Sequence, residues 1–299
     1  MKLQYVSALA LVAAAGTVAS ARPVIFNTGF EAPNYAAGAL NGQDGWTVGG
    51  APSASVAAAN RMNVVNNAAN AFAGSQYVEV ATSTWATDTT ASTYRLSYGY
   101  LANQLTAADV AANPIVHTSL AIRMNTPTGT RRNYATLNSY GTGATGFRTL
   151  AVAGILYYGT STSSTAQSNK SYLYFRASGA AGTQGAVILG GSTLTAFLNG
   201  WYVFDTYMNY STGTVSFSVN GISVDSTIDS IVGYSRTFDP SYLWEEADIQ
   251  TERDRPASGT SSGGAVVRYD NYLMETTPTP GTAALMGLGG LVMARRRRA

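Results

Sequence analysis

The chain has 299 residues, no cysteine, 18 basic and 16 acidic residues, and a hydrophobic share of 45%. Without thiols there is no disulfide framework and no cysteine-based zinc site, so a core must be held by burial alone. Five of the basic residues, Lys2 and Arg295 to Arg298, sit at the two ends; the 13 left against 16 acidic residues give a body near −3. That balance excludes the basic face a nucleic-acid partner requires.

In chain order, Met1 to Ala21 reads as a signal peptide. Lys2 is a thin basic start, Val6 to Val18 is apolar, and Ala19-Ser20-Ala21 gives a small-x-small cleavage site before Arg22. Val24 to Phe26 begins the body as a short strand. Phe30-Glu31, Tyr35, Gly38 and Leu40 to Trp46 follow, with glycines and Asn41 marking turns and Trp46 expected in the core. Met62, Val64 and Tyr77 to Val80 suit half-buried strands, and Tyr94 to Tyr98 is another. Leu105 to Ala112 is the one helical stretch, with Thr106 and Asp109 at capping-box spacing.

Val116 to Met124 alternates cleanly. Val116, Thr118, Leu120, Ile122 and Met124 share one face, and His117, Ser119, Ala121 and Arg123 the other. Thr126 to Gly146 is polar and glycine-rich and reads as a hairpin or long loop. Leu150 to Tyr158 and Tyr172 to Arg176 are strands, and Gly179 to Gly185 is a loop. Trp201 to Met208 and Val215 to Val219 alternate around a turn at Ser211-Thr212-Gly213, and Asn220-Gly221 is a hairpin signal. Val266 to Met274 closes the body. The period-2 pattern predicts an all-β fold with two antiparallel sheets face to face.

After Thr277 come a Pro-x-Pro-Gly breaker (Pro278, Pro280, Gly281), an apolar run and four arginines, Arg295, Arg296, Arg297 and Arg298. The run, Thr282 to Ala294, has about 13 residues, short of the roughly 20 needed to span a bilayer.

This three-part tail resembles the PEP-CTERM sorting signal of Gram-negative bacteria, also labelled the ice-binding protein C-terminal domain. Thr279 stands where that family has Glu. The resemblance implies an exosortase-type processing enzyme as partner, transient membrane insertion through a short C-terminal apolar helix, and a cell-surface or extracellular location tied to extracellular polysaccharide. The body resembles concanavalin A-like (LamG-like) jelly rolls in three places. These are Phe30-Glu31 running to Gly42-Gln43-Asp44-Gly45-Trp46, the stretch Trp201 to Gly221, and Asp270-Asn271. The expected organisation is therefore a signal helix over 1–21, a two-sheet jelly-roll sandwich over 22–277 and a sorting tail over 278–299.

The chemistry-bearing residues are few. A single histidine, His117, excludes a histidine zinc cluster, and no Gly-x-Ser-x-Gly elbow accompanies it. It reads as an ordinary histidine, exposed or partly satisfied. No phosphate-binding loop is present. Trp244 to Glu252 holds the densest acids. On a strand, Glu246, Asp248 and Glu252 line one face, and the stretch resembles the Glu-x-Asp-x-Glu motif of laminarinase-type glucanases, with Gln250 in place of the last acid. Glu246 and Glu252 would lie roughly 20 Å apart in an extended chain, too far for a retaining pair. Read instead with Arg253 to Pro256, the stretch is a charged surface loop. No cofactor is expected. Asp44, Asp239, Asp248 and Asp254 are candidates for a structural calcium, without a motif. Trp85 and Trp244 are the tryptophans expected to be exposed and to stack on sugar rings. The reading that follows is an exported, non-enzymatic protein that associates with extracellular polysaccharide. The alternatives are a laminarinase-type hydrolase using Glu246 and Asp248, and a purely structural envelope protein.

Overall fold

Two antiparallel sheets account for the alternating stretches. The computed structural model describes residues 25–50, 61–81, 94–102, 105–127, 132–159, 170–178, 184–189, 197–223, 230–232, 237–254 and 264–277. The expected signal helix (1–21) and tail helix (278–299) lie outside them. In chain order the strands are β1 (Phe26–Thr28), β2 (Gly38–Ala39), β3 (Thr47–Gly50), β4 (Asn63–Asn66), β5 (Gln76–Ala81) and β6 (Tyr94–Ala102). A short helix, α1 (Ala107–Ala112), precedes β7 (Ile115–Met124), β8 (Asn133–Gly143), β9 (Gly146–Tyr158), β10 (Lys170–Ser178) and β11 (Gln184–Leu189). The rest are β12 (Tyr202–Asn209), β13 (Thr214–Val219), β14 (Ile222–Ser223), β15 (Ser230–Val232), β16 (Leu243–Asp254) and β17 (Val266–Thr277).

One sheet runs β14-β13-β12-β7-β17-β5-β4-β2, with β1 added on β17, and has nine strands. The other runs β15-β11-β10-β9-β8-β16-β6-β3 and has eight. Their inner faces interdigitate into one core, in which Leu120 and Phe204 of the first sheet join Leu137, Ile155, Phe175 and Ile249 of the second. Phe175 bridges the layers through Phe204 and Phe217, at ring separations of 6.0 and 5.3 Å. Trp46 fills one end of the core as expected. It is 1% exposed, packs edge-on to Tyr272 at 5.4 Å and donates its indole N–H to Tyr35 Oη at 3.0 Å.

The turn chemistry read from the sequence is in place. Thr106 caps α1 as one half of a capping box with Asp109. Asn220 and Gly221 both take positive φ, 50° and 76°, which is what a two-residue turn between β13 and β14 demands. The faces of β7 fall as its alternation predicts, with Val116, Leu120, Ile122 and Met124 wholly buried on the core side.

Two stretches depart from expectation. Asn133–Gly143, inside the supposed loop of residues 126–146, is a central strand of the eight-stranded sheet. Leu243–Asp254, read as a surface loop, is a 12-residue central strand between β8 and β6. The reason is the same in both cases. Their alternate side chains face a polar groove and not a second hydrophobic layer, so neither stretch carries the apolar content that marks a buried strand.

Candidate functional site

The outer face of the eight-stranded sheet carries a groove of about 330 Å³ over β16, β8, β9 and β10. Register sets its floor in rows. Asp248 stands opposite Asn138, Asn138 opposite Val152, and Val152 opposite Arg176. The next row is Gln250, Thr136, Gly154 and Tyr174, and the next Glu252, Tyr134, Leu156 and Tyr172. Because side chains alternate, Ala247, Ile249, Ala135, Leu137, Ala151 and Ala153 point the other way and seal the core beneath. Gly154 lets β9 approach β8 closely, since a Cβ there would lie 2.1 Å from the Ala135 carbonyl oxygen.

Hydrogen bonds hold the floor in a fixed arrangement. The Asn138 amide nitrogen donates to Gln250 Oε1 and, at 3.3 Å, to Tyr140 Oη. Tyr140 Oη donates to Gln250 Oε1 at 3.3 Å, and Gln250 Nε2 donates to Glu252 at 3.5 Å. With both amide protons committed, Asn138 Oδ1 is buried without a partner among the described residues, as are Asp248 Oδ1 and Arg176 Nε. At one end the Phe147 ring stacks on Tyr140 at 4.9 Å and 12°, and Phe147 is 54% exposed. At the other, the Arg132 guanidinium lies over the rings of Tyr134 and Tyr158, 5.2 and 5.8 Å from their centroids.

Beside the groove, Glu246 and Asp248 share a hydrogen bond. Burial, and then the Glu246 charge, push the Asp248 carboxyl well above its ordinary value, and in their hydrogen bond Asp248 is the donor and Glu246 the acceptor. Burial, and then the neighbouring Glu245, also raise Glu246. Burial likewise raises the hydroxyls of Tyr140 and Tyr174, which stay protonated as donors. The arrangement offers flat aromatic surface, fixed amide and hydroxyl groups and a guanidinium, with a hydrogen-bonded carboxyl pair beside it. Such a set is chemically suited to a ligand rich in hydroxyls.

No family model matches the chain, and no curated protein matches it. Among solved structures it is similar in fold to a carbohydrate esterase from the Shiga toxin-encoding bacteriophage phi24B. The identity is 15% over 85% of this chain and 98% of that one, with a TM-score of 0.47. The alginate lyase Aly36B matches at 12% identity over 87% of this chain and 98% of its own, with a TM-score of 0.46. The binding domain of botulinum neurotoxin serotype D/C matches at 12% identity and a TM-score of 0.46. Here the match covers 89% of this chain but spans only 51% of the neurotoxin chain. The finding corrects one expectation. Enzymes stand among the similar folds, so the reading of a non-enzymatic protein is withdrawn.

The other predicted residues fall in several places. Trp244 is not exposed. It is 0% accessible on the core side of β16, because a bulge between Trp244 and Glu246 turns the indole inward, and it has no face to offer a sugar. Trp85, the cleavage residues Ala19 and Ala21, the tail residues Pro278, Pro280, Gly281 and Arg295 to Arg298, and the side chain of Asp254 lie outside the described residues. The calcium candidates do not converge. Asp44 accepts from Tyr35 Oη at 3.1 Å, Asp239 from the Ser241 amide and hydroxyl, and Asp248 belongs to the groove edge. Among the described residues no group of three or more metal-ligating side chains is assembled, and no helix is long and apolar enough to cross a membrane.

His117 sits on the outer face of the nine-stranded sheet, away from the groove. It is 8% exposed, with Nε2 3.1 Å from Asp205 Oδ1 and Nδ1 2.9 Å from Glu275 Oε1, and it stacks under Tyr207 at 4.2 Å. Burial works to lower its pKa, but the two carboxylates outweigh burial and hold it above the usual histidine value. The sequence marked none of Tyr140, Asn138, Tyr174, Arg176 and Arg132. The one available signal was the alternation of Tyr134, Thr136, Asn138 and Tyr140 with Ala135, Leu137 and Ser139.

Proposed function

We propose that this protein is exported and takes an extended polysaccharide into the groove of the eight-stranded sheet. The observation that carries the reading is the groove itself, about 330 Å³ of tyrosine, amide and charged side chains on a floor of hydrogen-bonded strands. Sugar rings expose an apolar face that stacks on tyrosine and a rim of hydroxyls that pairs with fixed amides. The end sequences support an extracellular setting: an N-terminal signal peptide, and a PEP-CTERM-like tail read by an exosortase-type enzyme. The fold-level resemblance to concanavalin A-like jelly rolls fits the same setting.

A second reading, cleavage of the bound glycan, is favoured by the Glu246–Asp248 pair. Protonating a glycosidic oxygen calls for a carboxyl that holds its proton more tightly than an ordinary one, and burial, then the Glu246 charge, push Asp248 in that direction. Both readings are tested together by affinity electrophoresis through a panel of polysaccharides, with released reducing ends assayed in parallel. Tyr140→Ala is expected to weaken retention about tenfold or more, as loss of a stacking platform does. Tyr207→Ala, on the opposite face of the molecule, leaves retention unchanged. No retention across the panel overturns the groove as a glycan site. Reducing ends that appear with the wild type and vanish in Asp248→Asn establish the cleavage reading.

A further inference from the structure

We propose that the β10 side of the groove is a subsite for the carboxylate of a uronic acid, so that the ligand is a polyuronate and not a neutral glycan. This rests on the reading of the groove as a glycan site. Arg176 and Asn138 occupy one row of the sheet, separated only by Val152, and both face the groove. Their unpartnered atoms are complementary. Arg176 Nε is a buried donor without a partner, and Asn138 Oδ1, on a residue 3% exposed, is a buried acceptor without one. A buried polar atom left unpaired costs about 1–3 kcal/mol, so a ligand that supplies both partners gains what the empty groove forgoes. A uronate supplies them from one ring: a planar carboxylate for the guanidinium and a hydroxyl for the amide oxygen.

The orientation of both groups is fixed. Asn138 commits its amide nitrogen to Tyr140 and Gln250, which leaves only its oxygen for the ligand. Arg176 hydrogen-bonds Tyr174, and its charge also reaches Tyr140, so the two tyrosines flank it. A neutral sugar would leave the guanidinium facing only hydroxyls. The charge is repeated along the groove. Arg132 precedes Asn133, whose β9 partner is Tyr157, near the end where β10 begins at Lys170. Six residues of strand separate that end from Arg176, roughly 20 Å, so a polyanion several rings long would meet a cation at each end. On the β16 side the groove is lined by Gln250 and Glu252, so the anionic chain is expected to lie toward the Arg176 side.

The experiment compares polygalacturonate with its fully methyl-esterified form, which share a backbone and differ in charge. Binding of each to the full-length protein is measured by calorimetry at low and at moderate salt. The expected result is that the acid binds about tenfold tighter than the ester, with the margin shrinking as salt rises. Arg176→Gln is expected to remove most of that margin. Arg176→Lys, which keeps the charge and loses the planar fork, falls between the two. Acid and ester binding equally, with both weakened by Tyr140→Ala, overturns the uronate subsite and leaves the glycan groove standing. Binding of neither form, nor of a neutral glucan, overturns both. The comparison of acid with ester on the wild type decides the matter even where a variant fails to fold.

Discussion

A histidine between two carboxylates is a pH-dependent clamp, and His117 is one. Its imidazole contacts Asp205 on β12 and Glu275 on β17, so a single side chain ties three adjacent strands of the nine-stranded sheet. Because its folded pKa is raised, the stability it contributes is complete below the usual histidine value of 6.5 and is lost as pH rises through the folded value. Asp205 works from the other side. Its pKa is lowered despite burial, by hydrogen bonds from His117, Ser119 and Ser218, so its contribution is lost only as pH falls through that lowered value. The wild type is therefore expected to lose more melting temperature than His117→Gln between about pH 6 and about pH 8.5, the range in which histidine titrates. Parallel curves for the two proteins would show that the clamp carries no linked proton. The sequence placed His117 correctly on the face opposite the apolar one, but its partners lie 88 and 158 residues away, and no local pattern brings them together. Trp244 shows the converse. Its acidic neighbours suggested exposure, whereas the β-bulge that buries it is invisible in the sequence. Trp244→Ala is expected to cost about 3–5 kcal/mol in chemical denaturation, as large aromatic truncations in cores do. A loss below 1 kcal/mol would mean that the indole is not part of the core.

Among the elements, legibility followed the chemistry of the outer face. β7, β12 and β13 pair an apolar core face with a polar outer one, and alternation found them within a residue or two. β8 and β16 defeated the same reading. Their core faces use Ala135, Leu137 and Ser139, and Ala247, Ile249 and Thr251, while the groove demands Tyr, Thr, Asn, Gln and Glu between them. A central strand that lines a groove is thus under-supplied with hydrophobic residues, and the misreading falls where the proposed site lies. The contact between β8 and β9 supplies the element-level test. Gly154→Ala would set a methyl group 2.1 Å from the Ala135 carbonyl and 2.7 Å from the Thr136 Cα, both backbone atoms that cannot swing aside. The variant is expected to lose about 1–3 kcal/mol of stability, typical of an overpacked interior, and to bind glycan more weakly as β8 is displaced. Thr106→Ala, which removes the cap of α1 far from the groove, is expected to cost about 1 kcal/mol and leave binding as it was.

Across the whole molecule, the two outer faces differ in how their polar groups are arranged. On the nine-stranded side several charges answer one another, while Arg123 Nε on β7 is buried without a partner among the described residues. His117 joins Asp205 and Glu275, and Arg268 joins Glu79 at 3.0 Å and Asn125 at 3.2 Å. Asp270, wholly buried, accepts from the amides of Phe72, Ala73 and Asn271 and pins the β4–β5 turn. On the eight-stranded side Asn138, Asp248 and Arg176 keep unpaired atoms beside the groove. Unpaired buried atoms occur on both faces; what sets the eight-stranded side apart is that three of them gather beside one groove, the arrangement on which the proposed glycan site rests. Binding and addressing should then be separable. β17 ends at Thr277, before the Pro-x-Pro-Gly breaker, and among the described residues its pairing with β7, β5 and β1 runs up to that residue. Deleting Gly281 to Ala299 is therefore expected to change the processed mass and the surface retention of the protein in its host while leaving melting temperature and polysaccharide binding of the purified chain unaltered. A deletion that leaves mass and location as they were removes the sorting-signal reading. One that abolishes binding by the purified chain would mean that the tail, and not the groove alone, holds the ligand.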